Sequence, residues 1–344
     1  HPHKNTAKQA YLGLAGVFLV ADPEEKRLNL PSGSNEVPLV IQDKRLNGSS
    51  LTYNPNQNDI MTGFMGKDII VNGVASPVLN VSTRFYRLRV LNGSNSRVYN
   101  LAFSNNSTFT IIGSDGGLLA APEKINSLML GPGERADILV DFSAYNTGTE
   151  IYLQSNPFSG SDAQGKETFK IMKFKVSVRE NNNFILSSVL SSYKQIPASA
   201  ATKTRKFDIK GMNMPGGHGN MGNMMGGMGM NMPMHTINGK TFDMDRIDET
   251  VKGGTTEIWE FDNTQGDEIH PMHLHGVQFQ VLGRKGGRNG LISTEKGFKD
   301  TVLLMPREKV RVIMTFPDNK GKFLVHCHNL EHENDGMMLN FLIN

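Results

Sequence analysis

The chain has 344 residues, 38% of them hydrophobic and 20% charged, with a formal net charge of +3. This length allows two or three domains with real cores. The small net charge, with Lys and Arg scattered, gives nucleic acid no electrostatic handle, and no apolar run approaches the roughly 20 residues of a membrane helix.

In chain order, a His-x-His pair comes first, at His1 and His3, with no initiator methionine before it. Something upstream is therefore expected to have been removed or omitted. Ala10 to Val20 predicts a buried strand, so the terminus is expected to enter folded protein directly. Asp22 to Asn35 is polar with Pro and Gly, and predicts a linker. From Val37 to Val178, short β-rich runs alternate with turn signals: Val37–Gln42, Ile69–Val71, Phe85–Leu91 and Ala136–Phe142 are the clearest runs. Asn92-Gly93, Asp115-Gly116-Gly117 and Gly131-Pro132-Gly133 punctuate them. Regular short strands of this kind predict a Greek-key β-sandwich. The stretch holds neither His nor Cys, so its expected role is spacing and interface.

Ser187 to Thr204 predicts a second linker. A second β-rich region follows, with runs at Thr256–Phe261, Val277–Leu282 and Val310–Phe316, and it carries eight of the ten histidines. Inside it, Gly211 to Met234 holds nine of the 19 methionines among glycines. That glycine content predicts a disordered insertion. Its thioethers are soft ligands suited to Cu(I).

The chemistry concentrates at His326-Cys327-His328-Asn329-Leu330-Glu331-His332-Glu333-Asn334-Asp335-Gly336-Met337, which holds the only cysteine. One thiolate, nearby imidazoles and a distant thioether are the ligand set of a blue-copper centre. Phe323, Leu324 and Val325 lead in as a strand, so Cys327 faces one way and His326 and His328 the other. The spacing predicts one copper on the cysteine side and at least one more metal opposite. A second constellation, His270-Pro271-Met272-His273-Leu274-His275-Gly276, lies about 50 residues upstream. Structural zinc sites use paired cysteines; a single Cys with His and Met favours copper.

These two motifs resemble the last two copper-binding motifs of the multicopper oxidases, the laccase-like family. His1-Pro2-His3 resembles the second of that family's four motifs. The resemblance runs the whole chain, including Asn92–Arg97 and Gly131–Asp137, and the Met-rich insert resembles that of bacterial copper-efflux cuprous oxidases. It implies an all-β fold of tandem cupredoxin-like Greek-key sandwiches. Residues 1–34 would be the tail of a first cupredoxin domain with its linker, 35–185 a copper-free second domain, and 186–344 a third domain with the type 1 copper and the insert at 211–234.

On matching positions, the resemblance implies that His270, Cys327 and His332 bind the type 1 copper, with Met337 as weak axial neighbour. His273 would bind the type 2 copper, and His275, His326, His328, His1 and His3 the type 3 pair. Four coppers would serve the complete protein. Cys327 would pass electrons through His326 and His328, and Glu333 would support proton delivery. The implied function is an oxidase coupling one-electron oxidation of Cu(I) or small phenolic reductants to reduction of O2 to water, in a periplasmic or extracellular setting.

The family's first His-x-His and most of its first domain would lie upstream of His1, so this chain alone is expected to hold six of eight cluster histidines and to be inactive by itself. The alternative is a blue-copper electron-transfer or copper-storage module without oxygen reduction. A two-domain copper nitrite reductase fits less well, since that family lacks the second flanking histidine of His-Cys-His. For Cu(I) docking, the candidates are Asp267 and Glu268 before His270, Asp243 and Met244 after the tract, and Met212, Met214, Met224, Met225 and Met228 within it.

Overall fold

The computed structural model describes residues 1–48, 50–211 and 234–344. Alternating apolar residues build two β-sandwiches, and the fold is all-β with Greek-key sheets. In the first, a seven-stranded sheet runs Gly117–Ile125, Phe109–Ser114, Arg135–Asp141, Phe85–Asn92, Glu36–Lys44, Asp68–Val71, Val74–Ala75. It faces a five-stranded sheet of Ser127–Leu130, Tyr99–Phe103, Glu150–Ser155, Phe169–Val178 and Val78–Ser82. Inward residues such as Leu88, Val90, Ile111, Ile138, Leu153 and Phe174 form one core between them. Asn72 and Gly73, at φ of 50° and 81°, close the hairpin from Asp68–Val71 to Val74–Ala75, as an Asn-Gly turn should.

The second sandwich pairs a six-stranded sheet (Thr236–Ile237, Lys203–Lys210, Thr256–Asp262, Lys309–Thr315, Phe279–Lys285, Phe298–Lys299) with a five-stranded one (Glu249–Val251, Met338–Ile343, Gly321–Cys327, His270–Leu274, Thr301–Leu304). Trp259, Phe207, Phe261 and Phe341 fill its centre, and Cys327 and Met337 belong to the same core. Each of the four large sheets contains one parallel pair, such as Glu36–Lys44 with Phe85–Asn92 and Lys203–Lys210 with Thr256–Asp262. A parallel pair cannot be closed by a hairpin, so each chain segment must cross between sheets.

Three short helices frame the functional end: α1 (Thr6–Tyr11), α2 (Gln57–Thr62) and α3 (Leu330–Asn334). Ala7 and Ala10 of α1 pack on Leu330 of α3, with Tyr53 alongside. No helix among the described residues is long and apolar enough to cross a membrane.

One expectation is corrected. Residues 12–20 form no strand, and their apolar side chains are exposed, Phe18 at 90% and Val20 at 82%. A continuous apolar run supplies the side chains of a buried strand, but a strand also needs a partner for its N–H and C=O groups, and no described strand pairs here.

Candidate copper centres

Strand register places the first group. His270–Leu274 lies antiparallel between Gly321–Cys327 and Thr301–Leu304, with Met272 opposite Cys327 and His273 opposite His326. Since side chains alternate, His270 and Cys327 face the sandwich core, while His273 and His326 face outward. The chain leaves the strand at Cys327 and enters α3, whose cap is Asn329 accepting from Glu331 N–H. One turn of helix returns His332 to the cysteine.

The result is a triad with no solvent exposure. Cys327 Sγ lies 3.6 Å from His270 Nδ1 and 3.7 Å from His332 Nδ1, and the two nitrogens are 3.2 Å apart. His332 Nε2–H donates to Met61 O at 2.8 Å, which turns the bare Nδ1 toward the sulfur. An ion about 2.0 Å from nitrogen and about 2.3 Å from sulfur spans ligand pairs of this separation, so the triad fits a soft, three-coordinate copper site. Burial lowers the His270 pKa to about 3 and drives that of His332 well below its ordinary value, keeping both imidazoles neutral. Burial pushes the Cys327 thiol up; a bound cation reverses that preference and takes the thiolate. Met337 is fully buried beside the triad, and its carbonyl accepts from Cys327 N–H at 3.0 Å.

On the other side, six imidazoles converge. His275 Nε2 and His326 Nε2 are 3.1 Å apart. The His273 ring lies 4.9 Å from that of His275 and 5.2 Å from that of His326. His3 sits 4.8 Å from His275, and His1 sits 5.0 Å from His328, centroid to centroid. His3, His275 and His326 offer ligand atoms close enough for one ion. Burial lowers the pKa of His275 and of His328 to about 3, and neighbouring imidazoles add to it. The buried Nδ1 of His328 has no hydrogen-bond partner among the described residues. Converging, partly unsatisfied imidazoles, with burial favouring the neutral form at His275 and His328, are a donor set that fits more than one copper.

Each outward histidine is oriented from behind. His273 Nδ1–H donates to Asp300 O at 2.9 Å, with Thr301 Oγ1 at 3.1 Å. His326 Nδ1 lies 3.0 Å from Cys327 O and 3.2 Å from Glu333 Oε2. Glu333 is buried in α3, and its Oε1 accepts from His3 Nδ1–H at 3.0 Å. Burial would raise its pKa, but His326, His3 and His328 outweigh burial and hold it below the usual carboxylate range. Glu331 anchors α3 to the first sandwich, accepting from Asn95 Nδ2 at 2.7 Å, Phe64 N–H at 2.9 Å and Ser96 Oγ.

Among the described docking candidates, Glu268 reaches the triad: its Oε2 lies 3.8 Å from His270 Nε2. That nitrogen and Glu268 Oε1 are buried without hydrogen-bond partners among the described residues. Asp267 precedes it, half-buried. Asp243 and Met244 are exposed, their carbonyls accepting from Asn340 Nδ2 and Lys322 Nζ. Met212, Met214, Met224, Met225 and Met228 lie outside the described residues.

Sequence reasoning missed His235. It is fully buried, stacked on His332 at 3.8 Å, with Nδ1 3.0 Å from Asp335 Oδ2 and Nε2 3.2 Å from Glu268 Oε2. Burial would lower its pKa, but the two carboxylates raise it to about 9.

Comparison with known proteins identifies the family. Family models described as multicopper oxidase match residues 24–173 and 213–344. A laccase from Bacillus subtilis is 37% identical over 98% of this chain and 68% of its own length. The multicopper oxidase mco of Staphylococcus haemolyticus is 35% identical over 98% of this chain and 65% of its own length. The chain thus spans about two thirds of these relatives. The crystal structure of the McoA multicopper oxidase from Aquifex aeolicus superposes with a TM-score of 0.87 at 34% identity, covering 100% of this chain and 74% of that one. The chain belongs to the multicopper oxidases, a family of copper-dependent oxidoreductases that use oxygen.

Proposed function

We propose that this chain carries the electron-entry centre and most of the oxygen-reducing centre of an oxidase that couples one-electron oxidation of a reductant to four-electron reduction of O2 to water. One observation carries this reading. The peptide His326-Cys327-His328 serves both groups, with Sγ in the triad and the two imidazoles among the six. Copper, when bound, supplies one-electron exchange at the triad and oxygen chemistry at the histidines. Cys327 links the two sides through a short covalent path, reinforced where its carbonyl accepts from His326 Nδ1–H. Glu333 Oε1 and Oε2 offer a proton's landing point between His3 and His326. A blue-copper carrier or storage module would leave the six converging imidazoles without a role.

For the reductant, Glu268 Oε1 and His270 Nε2, buried without partners among the described residues, favour Cu(I) delivered beside His270. The alternative, a small phenolic reductant, has room in a cleft of about 490 Å³ lined by Thr62, Gly63, Met65 and Gln164 together with the charged Arg45, Asp59, Arg97, Asp162, Lys166 and Glu167, and the carbonyl just before Thr62 holds His332 Nε2.

The family pattern implies eight cluster histidines. Six stand in this chain, so the active oxidase includes a further His-x-His pair. Visible and EPR spectra with copper quantification, and oxygen uptake with and without the upstream piece, test the assignment. Expected are a thiolate-to-copper band in the chain alone and oxygen uptake only in the completed protein; absence of that band on copper loading overturns the assignment. Glu333→Gln should lower oxygen uptake roughly 100-fold and leave that band in place. Deleting 212–234 should lower cuprous oxidation more than dye oxidation; equal losses count against Cu(I) delivery.

A further inference from the structure

Two turns of the first sandwich press against the histidine side of the second. In one, Gly116 N–H donates to Phe298 O at 2.8 Å, and a Cβ at Gly116 would lie 2.5 Å from Phe298 Cβ. In the other, Gly133 adopts left-handed backbone at φ +80°, where a Cβ would stand 2.6 Å from the His328 ring. Only glycine permits both the approach and, at Gly133, the conformation. The turns deliver Asp115 and Arg135 onto the segment Lys299-Asp300-Thr301.

The Asp115 side chain is fully buried and acts as a hub. Its Oδ1 accepts from Arg135 N–H at 2.7 Å. Its Oδ2 lies 2.9 Å from Lys299 Nζ and accepts longer bonds from Asp300 N–H at 3.4 Å and Thr301 N–H at 3.3 Å. Arg135 grips both oxygens of Asp300 at 2.6 Å each. The fully buried Lys299 also meets Glu134 at 3.2 Å. The residue held by all this is the one that orients His273: the Asp300 carbonyl accepts from His273 Nδ1–H, Asp300 Oδ1 stands 3.5 Å from the same nitrogen, and Thr301 Oγ1 bridges the two.

An imidazole that binds a metal through one nitrogen commonly donates its other N–H to a carbonyl or carboxylate, which fixes its tautomer and direction. Here that partner is itself fixed from a different sandwich. We propose that Arg135 and Asp115, in the sandwich without ligands, are positioning residues that fix the orientation and tautomer of His273. An interface ion pair with no such task would stabilise the contact between sandwiches and leave His273 indifferent. The planar fork matters because a bidentate grip needs Arg rather than Lys.

The inference rests on reading His273 as a cluster ligand, but its first test needs no copper. In the metal-free full chain labelled with 15N-histidine, long-range 1H–15N correlation reports the His273 tautomer. The native chain should show Nδ1–H alone. Arg135→Gln should show both tautomers, with Arg135→Lys in between. Arg87→Gln breaks a buried ion group on the same sandwich, where Arg87 meets Asp137 and Glu25, and should leave His273 unchanged. Should Arg135→Gln fail to fold, the near-isosteric Asp115→Asn should give the same mixed signal. A single Nδ1–H tautomer in both Arg135→Gln and Asp115→Asn overturns the proposal, as do equal effects of Arg135→Gln and Arg87→Gln. A second arm titrates a chelator against the chain loaded with Cu(II). Copper on the histidine side should be lost about 10- to 100-fold more easily in Arg135→Gln, with the triad's visible band retained. A tautomer shift without any copper on that side would sustain the positioning role and sink the ligand reading instead.

Discussion

The two sandwiches lay out their five-stranded sheets in the same order. Thr301–Leu304, His270–Leu274, Gly321–Cys327, Met338–Ile343 and Glu249–Val251 follow one another as Ser127–Leu130, Tyr99–Phe103, Glu150–Ser155, Phe169–Val178 and Val78–Ser82 do. Even a turn latch repeats. Asn92 Nδ2 donates to Leu130 O and Asn263 Nδ2 to Met305 O. Glu134 Oε2 accepts from Gly131 N–H, and Glu308 Oε2 from Met305 N–H. In register, the Leu101–Ser155 pair stands where Met272–Cys327 does, and Tyr99 where His270 does. The hydroxyls there bond locally: Ser155 Oγ accepts from Asn100 N–H at 3.0 Å, and Tyr99 and Ser94 share a 2.9 Å bond. One scaffold serves two roles, and a handful of side chains at the end of one strand pair decides which.

The largest test erases that difference. Cys327→Ser gives the second sandwich the hydroxyl its counterpart carries. The thiolate-to-copper band should vanish, and substrate oxidation with it. The sandwich should survive, losing about 1–3 kcal/mol for an ill-paired buried hydroxyl. Visible absorption and thermal unfolding check both halves; a persistent blue band would break the comparison.

Copper removal should act on one sandwich only. Ligands bound by the folded state alone stabilise it, by about 4 kcal/mol at a thousandfold excess over Kd. Hydrogen exchange should therefore quicken in Gly321–Cys327 and His270–Leu274 on chelation, and stay unchanged in Glu150–Ser155 and Tyr99–Phe103. Equal changes in both would mean that the sandwiches unfold as one unit.

The two sandwiches should also answer alkali with opposite sign. His235, raised to about 9 by Asp335 and Glu268 against the cost of burial, binds its proton more tightly folded than unfolded. Its contribution is complete below the unfolded value of about 6.5 and is lost as pH climbs to about 9, a loss of about 3 kcal/mol at most. Lys44, lowered to about 8 by burial, behaves the other way, and its burial becomes easier above that pH. In metal-free protein, His235→Gln should remove the decline in melting temperature between pH 6.5 and 9; a decline of the same size in the variant would sink this assignment.

Much of the site was legible because strand alternation is local. Cys327 sorts away from His326 and His328 by spacing alone, the split between His270 and His273 came only with the family resemblance, and the chemistry of one thiolate among imidazoles names the metal. What failed to show is long-range. His235 gains its meaning from Glu268 and Asp335, 33 and 100 residues away, and only its place after the methionine tract hinted at it. Arg135 and Asp300 are 165 residues apart, so a middle sandwich without ligands looked like a spacer. Residues 12–20 misled in the opposite direction, since an apolar run states a wish for burial and not the neighbour that covers it.

The smallest expected effect probes the ligand-free counterpart itself. Ser155→Ala removes the acceptor that Asn100 N–H uses and leaves a donor without its partner, at about 1–2 kcal/mol. Copper content and the visible band should not change, because Ser155 belongs to the core of the other sandwich. Should the band shift or copper be lost, the two sheets would be coupled through their cores as well as through Arg135 and Asp300, and the division of labour between them would be less sharp than their side chains suggest.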